Sequence, residues 1–517
     1  MRYIYGFVLI FTILLWSSCR NDFESVPSSG NLEFSQDTIF LDTIFTNVGS
    51  STRTLKVYNR SSEDINIPNL QLSDGESSSY RLNVDGIPGK IFQDINILAN
   101  DSIFVFIETT IDIDNFPNPD NSYLYEDRIV FDSGTNTQDV NLITLVKDAV
   151  FLFPEQSSDG TVETLNLGTE DEPILIEGFY LNDNQLNFTS EKPYVIYGYA
   201  AVAPNKTLTV EPGARIHFHR DSGILVANNA SMKSIGLASS DSELMENQII
   251  FEGDRLEPSF ADVPGQWGTI WLTAGSTNHE FSYTTIKNSI VGILMDSNDG
   301  DRTLSLKNVE IYNTSNVGLL ARTGDIYGEN LIINNSGQSS LSCSLGGKYN
   351  FIHSTFVNYW TNNFRIFPAV SIDNVLQIGE NEFITSDLIE ANFINCIVYG
   401  NEARELIFTQ SQEAAFNFNF KNSLIRFDDP NGNFEDDLNY DFLNESLYLN
   451  IVRNQNPSFL NTTLNDFNIE TDVSGADGIG DVAEALTVPF DGNGTSRNVS
   501  APDAGAYESI IFPDEGT

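Results

Sequence analysis

A short pattern that recurs about every two dozen residues constrains this chain more than any other feature of its sequence. The pattern is an apolar or aromatic residue, any residue, an Asn and then alternating apolar residues. Its copies lie at residues 306–311, 330–333, 351–356, 393–398 and 420–425. Alternation inside each copy predicts a short strand with one buried face rather than a helical repeat. A unit too short to bury its own apolar face is stable only when its copies stack.

A further series of Asn keeps a similar interval. Asn288, Asn313, Asn335 and Asn358 are separated by 25, 22 and 23 residues, and Asn401 follows 43 residues later. Stacked strands lie about 4.8 Å apart, so an Asn that recurs once per repeat can hydrogen-bond its own copies. Asn also tolerates the left-handed backbone of sharp corners. Since His353 takes the Asn slot of the recurring pattern, we expect it to be structural.

Strand-like runs at residues 208–216, 223–226, 249–251 and 265–270 begin the stack, and the run Pro-Asp-Ala-Gly-Ala-Tyr-Glu at 502–508 ends it. A period in the low twenties fits a coil of three short strands. The succession resembles the pectate-lyase-like right-handed parallel β-helix proteins of bacterial surfaces over residues 191–510. Lyases on this fold commonly use calcium and an Arg or Lys base, so the resemblance brings in that chemistry as an alternative.

Residues 31–150 consist of short β runs separated by polar turns, as at 38–41, 55–58, 103–107 and 128–131. Such spacing predicts an antiparallel sandwich. On residues 42–46, 49–52, 58–59 and 99–102 the block resembles immunoglobulin-like modules near the start of Bacteroidota surface lipoproteins. The resemblance implies a spacer or a docking module. Residues 151–190, where polar turn residues interrupt the pattern, are expected to form a linker or cap.

Residues 1–18 combine a basic start, an apolar run from Ile4 to Trp16 and small residues before Cys19. This is the pattern of a secretory signal peptide, and it is too short for a comfortable membrane span. Ser17, Ser18 and Cys19 resemble a bacterial lipoprotein signal, in which the Cys becomes diacylated. Trp16 departs from the aliphatic residue usual at its position. A simple cleaved signal with an incidental Cys is the alternative.

The acidic residues just after Cys19 resemble the export signal of Bacteroidota surface lipoproteins. We therefore expect residues 19–30 to be a tether and the protein to be anchored to the outer membrane, exposed at the cell surface. The formal charge of −46, from 72 acidic and 26 basic residues, argues against nucleic acid as a partner. The other two cysteines, Cys343 and Cys396, are predicted to be buried free thiols rather than a disulfide.

Several polar residues are candidates for a functional site. Strand alternation places His217 and His219 on an outward face, where we expect exposed side chains rather than a metal site. We expect outward-facing side chains that do not form a lyase cluster at Glu310, Lys287 and Arg322. Asp472, Asp477 and Asp481 are interleaved with glycines, and we interpret them as turn residues, with a calcium loop as the alternative.

The sequence therefore predicts an all-β chain with no catalytic, cofactor-binding or metal residues. The function it favours is non-catalytic binding of a polysaccharide or a surface protein, with the membrane as a partner through the lipid. A carbohydrate-active enzyme, either a polysaccharide lyase or a glycoside hydrolase, is one alternative. A structural spacer or adhesin stalk is another. Calcium is the only cofactor left open.

Lipid attachment at Cys19 can be tested directly. Expression in a bacterial host with a labelled fatty acid should tag the protein, and Cys19→Ser should abolish the tag because the acceptor thiol is gone. Persistent label in the Cys19→Ser protein would contradict the lipoprotein interpretation.

Overall fold

The computed structural model describes residues 25–117, 121–169, 171–241, 244–296 and 302–513, so Cys19 and the predicted signal lie outside the described residues. Within these ranges the chain is almost all β, as the sequence predicts. The single described α-helix is Val482–Thr487. Short 3-10 helices lie at Gly75–Ser77, Ile113–Asn115, Gly134–Asn136, Asp183–Gln185, Pro258–Phe260, Leu438–Tyr440 and Thr462–Leu464. Among the described residues no helix is long and apolar enough to cross a membrane. The chain divides into two compact units, residues 1–148 and 149–517.

Two sheets build the first unit. One contains β1 (Val26–Pro27), β3 (Thr38–Phe45), β5 (Ile65–Leu72), β8 (Ile91–Ile97), β10 (Ser122–Phe131) and β11 (Gln138–Lys147). The other contains β2 (Glu33–Phe34), β4 (Arg53–Tyr58), β6 (Tyr80–Val84), β7 (Ile87–Gly89) and β9 (Ser102–Thr109). Alternate residues of both sheets enter one apolar core. The prediction of purely antiparallel pairing is wrong at two places, because the end strands β1 and β3 join β5 and β11 in parallel.

A long sheet of 19 strands dominates the second unit. Its strands are β12 (Val150–Leu152), β15 (Asn187–Phe188), β16 (Tyr194–Ile196), β18 (Thr207–Val210), β19 (Arg215–Phe218), β21 (Ser231–Ile235), β22 (Ile249–Gly253), β24 (His279–Lys287), β26 (Arg302–Thr314), β28 (Asp325–Glu329), β29 (Ile332–Ser336), β31 (Gly347–Ile352), β32 (Thr355–Asn358), β36 (Leu388–Ile394), β37 (Ile397–Gly400), β39 (Asn419–Lys421), β40 (Leu424–Ile425), β41 (Tyr448–Leu449) and β42 (Val452–Arg453).

A second sheet of ten strands accompanies it. Its strands are β13 (Thr164–Asn166), β14 (Leu175–Tyr180), β17 (Tyr199–Val202), β20 (Gly223–Val226), β23 (Ile270–Leu272), β25 (Ile293–Met295), β27 (Leu319–Arg322), β30 (Leu341–Ser344), β33 (Val370–Asp373) and β38 (Leu406–Thr409). Two hairpins, β34–β35 (Val375–Gly379, Glu382–Thr385) and β43–β44 (Phe459–Asn461, Asp466–Ile469), complete the described strands. Residues 151–190 contribute strands to both large sheets.

Parallel pairing joins successive copies of the repeat. Ile286 pairs with Ile311, Ile311 with Ile333, Ile333 with Phe356 and Phe356 with Val398. All five side chains are fully buried in one continuous apolar cluster. Burial of each such side chain stabilises the fold by about 1.5–3 kcal/mol relative to exposure. The stacking of copies that the repeat requires is therefore present.

The Asn series forms a ladder of side-chain amides. The Asn335 Nδ2 donates to the Asn313 Oδ1 at 2.7 Å, and the Asn313 Nδ2 donates to the Asn288 Oδ1 at 3.5 Å. The three residues have φ of 54°, 56° and 67°, the left-handed conformation expected at a corner. Asn358 differs, because its amide bonds the backbone of Ser336 instead of the side chain of Asn335.

The ladder predicts a specific cost for Asn335→Leu. Loss of the amide leaves a buried partner unsatisfied, at about 1–3 kcal/mol, and a left-handed Leu costs about 1–2 kcal/mol more. Asn381→Leu is the matched control, because Asn381 is exposed with φ of 64° and has no ladder. Urea unfolding should show Asn335→Leu to be the more destabilising by about 1–3 kcal/mol. Equal losses would mean that the ladder contributes nothing.

Candidate functional site

The chain's own carboxyl-terminal segment, residues 456–510, covers part of the outer face of the long sheet. Phe467, Ile469 and Tyr507 from the segment join an apolar cluster with Ile397 and Leu424, which point away from the main core. The segment approaches the sheet closely at Gly505, which has a φ of 98°. A Cβ at this position would lie 2.6 Å from a methyl group of Ile397. Where the segment lies on it, the outer face of the long sheet is therefore not open to solvent.

Residues at the Asn position of the recurring pattern hydrogen-bond this segment and hold it against the sheet. Asn308, Asn330, His353, Asn395 and Asn422 all have φ near 50°. The amides of the last two Asn donate to backbone oxygens of the segment, at Asp481 and Ile479 respectively, and that of Asn330 donates to Phe490. The His353 ring lies 2.9 Å from the Asn395 amide, and burial lowers the His353 pKa well below its usual value. The structural role predicted for His353 is therefore confirmed.

Glu310 lies under the same segment rather than in a lyase-type cluster. The Tyr507 hydroxyl donates to the Glu310 carboxylate at 3.0 Å. Burial raises the pKa of Glu310 and raises that of Tyr507 well above its usual value. Tyr312 also bonds this carboxylate. Glu310 therefore has its hydrogen-bond partners within the chain and is only partly exposed to solvent.

His217, in β19, and His219, just after that strand, differ in their exposure. His217 is only 5% exposed, so the expectation of an exposed side chain is wrong for it. Strand alternation correctly predicts that the His217 side chain points away from the apolar core. It is nevertheless covered, because Glu252 on the next strand lies 3.7 Å from the His217 ring, which also hydrogen-bonds the Gly253 carbonyl. His219 is half-exposed and lies 2.7 Å from Asp254. Lys287 pairs with Glu252 at 2.8 Å, so the strand neighbours satisfy one another.

The remaining sequence candidates have ordinary partners. Arg322 pairs with Asp296 at 3.2 Å. Asp472 and Asp477 bond each other through a backbone N–H at 2.6 Å, and Asp481 caps the helix Val482–Thr487, as expected of turn residues. In the described ranges no group of three or more His, Cys, Asp or Glu could hold a metal. Cys343 and Cys396 are buried and unpaired as predicted, and burial raises the pKa of the Cys396 thiol to about 12.

A pocket of about 330 Å³ lies near the end of the long sheet, where the chain loops out between β40 and β41. We call it the end pocket; its lining residues are Phe427, Asp428, Asp429, Phe434, Glu435, Tyr440, Phe442, Arg453 and Asn454. Phe427 is its centre, with ring centroids 5.6 Å from Phe434, 4.8 Å from Tyr440 and 5.2 Å from Phe442. These rings join the core at the end of the stack, so the loop that forms the pocket also covers the last repeat.

Hydrogen bonds fix the frame of the end pocket. The Asn454 amide bonds the Phe427 backbone in both directions, at 2.8 and 3.0 Å. Asp429 accepts the backbone N–H of Phe434 at 2.8 Å. The Tyr440 hydroxyl accepts the Phe408 N–H at 2.9 Å, and burial raises the Tyr440 pKa to about 12. The tyrosine therefore stays neutral and fixed in position.

Three charged groups remain available in the end pocket. Asp428 and Glu435 are exposed, and neither makes an ion pair within the described residues. The Arg453 guanidinium lies 4.6 Å from the centroid of the Phe442 ring, with no carboxylate partner in the described part of the chain. Aromatic faces beside free carboxylates and a guanidinium suit a ligand that carries both C–H surface and hydroxyl groups.

Sequence reasoning missed the end pocket. Its residues follow the last copy of the pattern, in a stretch that departs from strand alternation. The signal that was present is the density of aromatic residues among acidic ones over residues 427–448. A stack of strands has two open ends, and an aromatic-rich segment after the last copy is what covering such an end requires.

Comparison with known proteins gives no family. No family model matches the chain, and no curated protein matches it. Three similar solved structures are a family 123 glycoside hydrolase from Clostridium perfringens (12% identity, 23% of this chain, 26% of that one, TM-score 0.16), the E. coli chaperone DraB (13%, 24%, 58%, 0.16) and the catalytic unit of a GH87 α-1,3-glucanase from Streptomyces thermodiastaticus (11%, 72%, 79%, 0.24). This chain thus spans about a quarter of the first structure, and TM-scores this low carry no argument about activity.

The covering of the long sheet can be tested at Ile469, which is 1% exposed. Ile469→Asp should detach the carboxyl-terminal segment, because a buried carboxylate there has no partner, and should cost about 3 kcal/mol or more. Faster proteolysis within residues 456–510 and increased binding of an apolar dye are the expected readouts. Leu464→Asp is the control, since Leu464 belongs to the same segment and is 76% exposed. Similar behaviour of both variants would show that the segment is not docked.

Proposed function

We propose that this chain is a lipid-anchored protein of the bacterial outer surface that binds polysaccharide without cleaving it. The proposed architecture is an immunoglobulin-like module followed by a right-handed parallel β-helix. Support for the architecture comes from the two-sheet first unit and from the parallel pairing of successive copies in the second. Support for the anchor comes from the Ser-Ser-Cys sequence that ends at Cys19.

The end pocket is the observation that carries the proposal of glycan binding. Its volume of about 330 Å³ falls at the lower end of ligand pockets, which suits one end or a short stretch of a sugar chain. Phe434 and Phe442 supply apolar faces. Asp428 and Glu435 supply acceptors for sugar hydroxyls, and Arg453 supplies donors. Because the frame is already fixed by internal hydrogen bonds, little ordering remains to oppose binding.

A glycoside hydrolase is the second candidate, and the observation behind it is the presence of two free carboxylates, Asp428 and Glu435, at one pocket. Both are open to solvent, which suits hydrogen bonding to a hydroxyl better than proton donation by a buried general acid. The lyase alternative has less support, because Glu310, Lys287 and Arg322 are each engaged by other residues. We therefore place binding before catalysis.

Arg453→Ala should weaken binding of the recognised polysaccharide about tenfold or more, because a charge-assisted hydrogen bond contributes about 1.5–3 kcal/mol. The protein without residues 1–19 would be screened by affinity electrophoresis against neutral and acidic polysaccharides, and binding to the best one measured by calorimetry. Arg220→Ala is the control, because its side chain is 83% exposed and it does not line the pocket.

Product analysis in the same samples separates the candidates. We expect no new reducing ends and no rise in ultraviolet absorbance from unsaturated uronate, with or without calcium. A sustained, protein-dependent increase in either would replace the binding proposal with the corresponding enzyme. Equal binding by the Arg453→Ala and Arg220→Ala proteins would remove the end pocket as the site.

A further inference from the structure

The loop between β32 and β33, residues 359–369, is clamped by an ion pair in the protein interior. The Arg365 guanidinium and the Glu405 carboxylate form two hydrogen bonds, at 2.7 and 2.9 Å, and both side chains are almost wholly buried. Arg365 also donates to the Asn358 carbonyl and to the Asn401 side chain. Glu405 further accepts the N–H of residue 369, at 2.7 Å.

This internal clamp holds apolar side chains out in solvent. Phe364 and Ile366, on either side of Arg365, are 86% and 70% exposed, and Phe367 is 44% exposed. Exposed clusters of large apolar groups oppose solubility and mark contact surfaces. A buried ion pair destabilises a fold unless its polar atoms are hydrogen-bonded, and most of the polar atoms of this pair are. The ion pair therefore maintains an exposed apolar surface, formed by Phe364, Ile366 and Phe367, that is not part of the core. We call this surface the lip.

The lip continues the surface of the end pocket. Ile366 and Pro368 line a depression of about 160 Å³ together with Arg404, Ile407 and Phe434. Phe434 also lines the end pocket, so the two hollows share a wall. Arg404 lies 5.1 Å from the centroid of the Phe434 ring and 3.5 Å from Asp429, which keeps this shared wall in place.

We propose that the lip is the outer half of the binding site and that the ligand is a neutral polysaccharide bound across both hollows. This inference rests on the proposed function of the end pocket. A sugar chain offers apolar C–H faces to Phe364 and Ile366 and hydroxyl groups to the polar end pocket. Uronate or sulfate groups would meet the carboxylates of Asp428, Asp429 and Glu435, in a chain of net charge −46. The ligand class is therefore uncharged.

The test uses the full chain without residues 1–19 and oligosaccharides from disaccharide to octasaccharide. The probes are cello-, laminari-, xylo- and mannooligosaccharides, with oligogalacturonates and oligoalginates as charged counterparts. The variant is Phe364→Ala/Ile366→Ala, whose side chains are too exposed to affect folding. Its matched control is Ile378→Ala/Phe383→Ala, which removes the same two residue types from the hairpin β34–β35, where they are 58% and 59% exposed.

A neutral series should bind more tightly as it lengthens, and the lip variant should lose about tenfold affinity for the longest members while binding the shortest normally. Arg453→Ala should weaken every length. Unchanged binding by the lip variant at all lengths, with binding lost in Arg453→Ala, would overturn this inference and leave the proposed function standing. Tighter binding of the charged series would overturn the neutral ligand. Binding of none of the probes would contradict the proposed function itself.

Discussion

Parallel stacking with nearly constant register imposes one condition on the second unit, which is that each position must tolerate its own copy about 4.8 Å away. Apolar residues meet it without cost, as in the row from Ile286 to Val398. Asn meets it by bonding its neighbour's amide. Charged residues satisfy this condition only when positive and negative side chains alternate along the row. They do so in the outer row of Arg302, Asp325, Lys348 and Glu390, where the N···O distances between successive side chains are 3.8, 3.3 and 3.4 Å. A chain of net charge −46 must therefore place most of its carboxylates at turns, loops and ends.

This condition explains which features could be predicted from the sequence. A residue that recurs once per copy reveals both its environment and its neighbours, so the positions of Asn313, Asn335 and His353 follow from the repeat. Direction along a strand was also readable at His217. Its burial was not, because exposure depends on what lies across the sheet, and alternation carries no information about that. The same limit applies to Glu310, whose cover comes from Tyr507, 197 residues later in the chain.

The candidate site escaped prediction for a related reason. Residues inside the stack are restricted by their copies, whereas a segment that leaves the stack is free to vary. The lip and most of the end pocket belong to such segments, residues 359–369 and 426–447, so no repeat points to them. Arg453 and Asn454 complete the pocket from the last strand of the stack and the residue after it. What the stack supplies is rigidity. Tyr440 is bound to the backbone of β38, and Arg365 to Glu405 just before that strand, so both loops are fixed to one element.

The docked carboxyl-terminal segment changes how such a stack comes apart. In a simple array each copy contacts only its neighbours, and loss of an end copy need not affect the middle. Here one segment contacts several copies at once, since Arg497 bonds Asn330 and the backbone at Asp481 bonds Asn395, residues that belong to different copies. Separate copies thereby become one cooperative unit. Because synthesis runs from the amino terminus, this unit can close only after residues 456–510 have emerged, so a chain that still lacks them has fewer contacts between its copies and is more open to proteolysis.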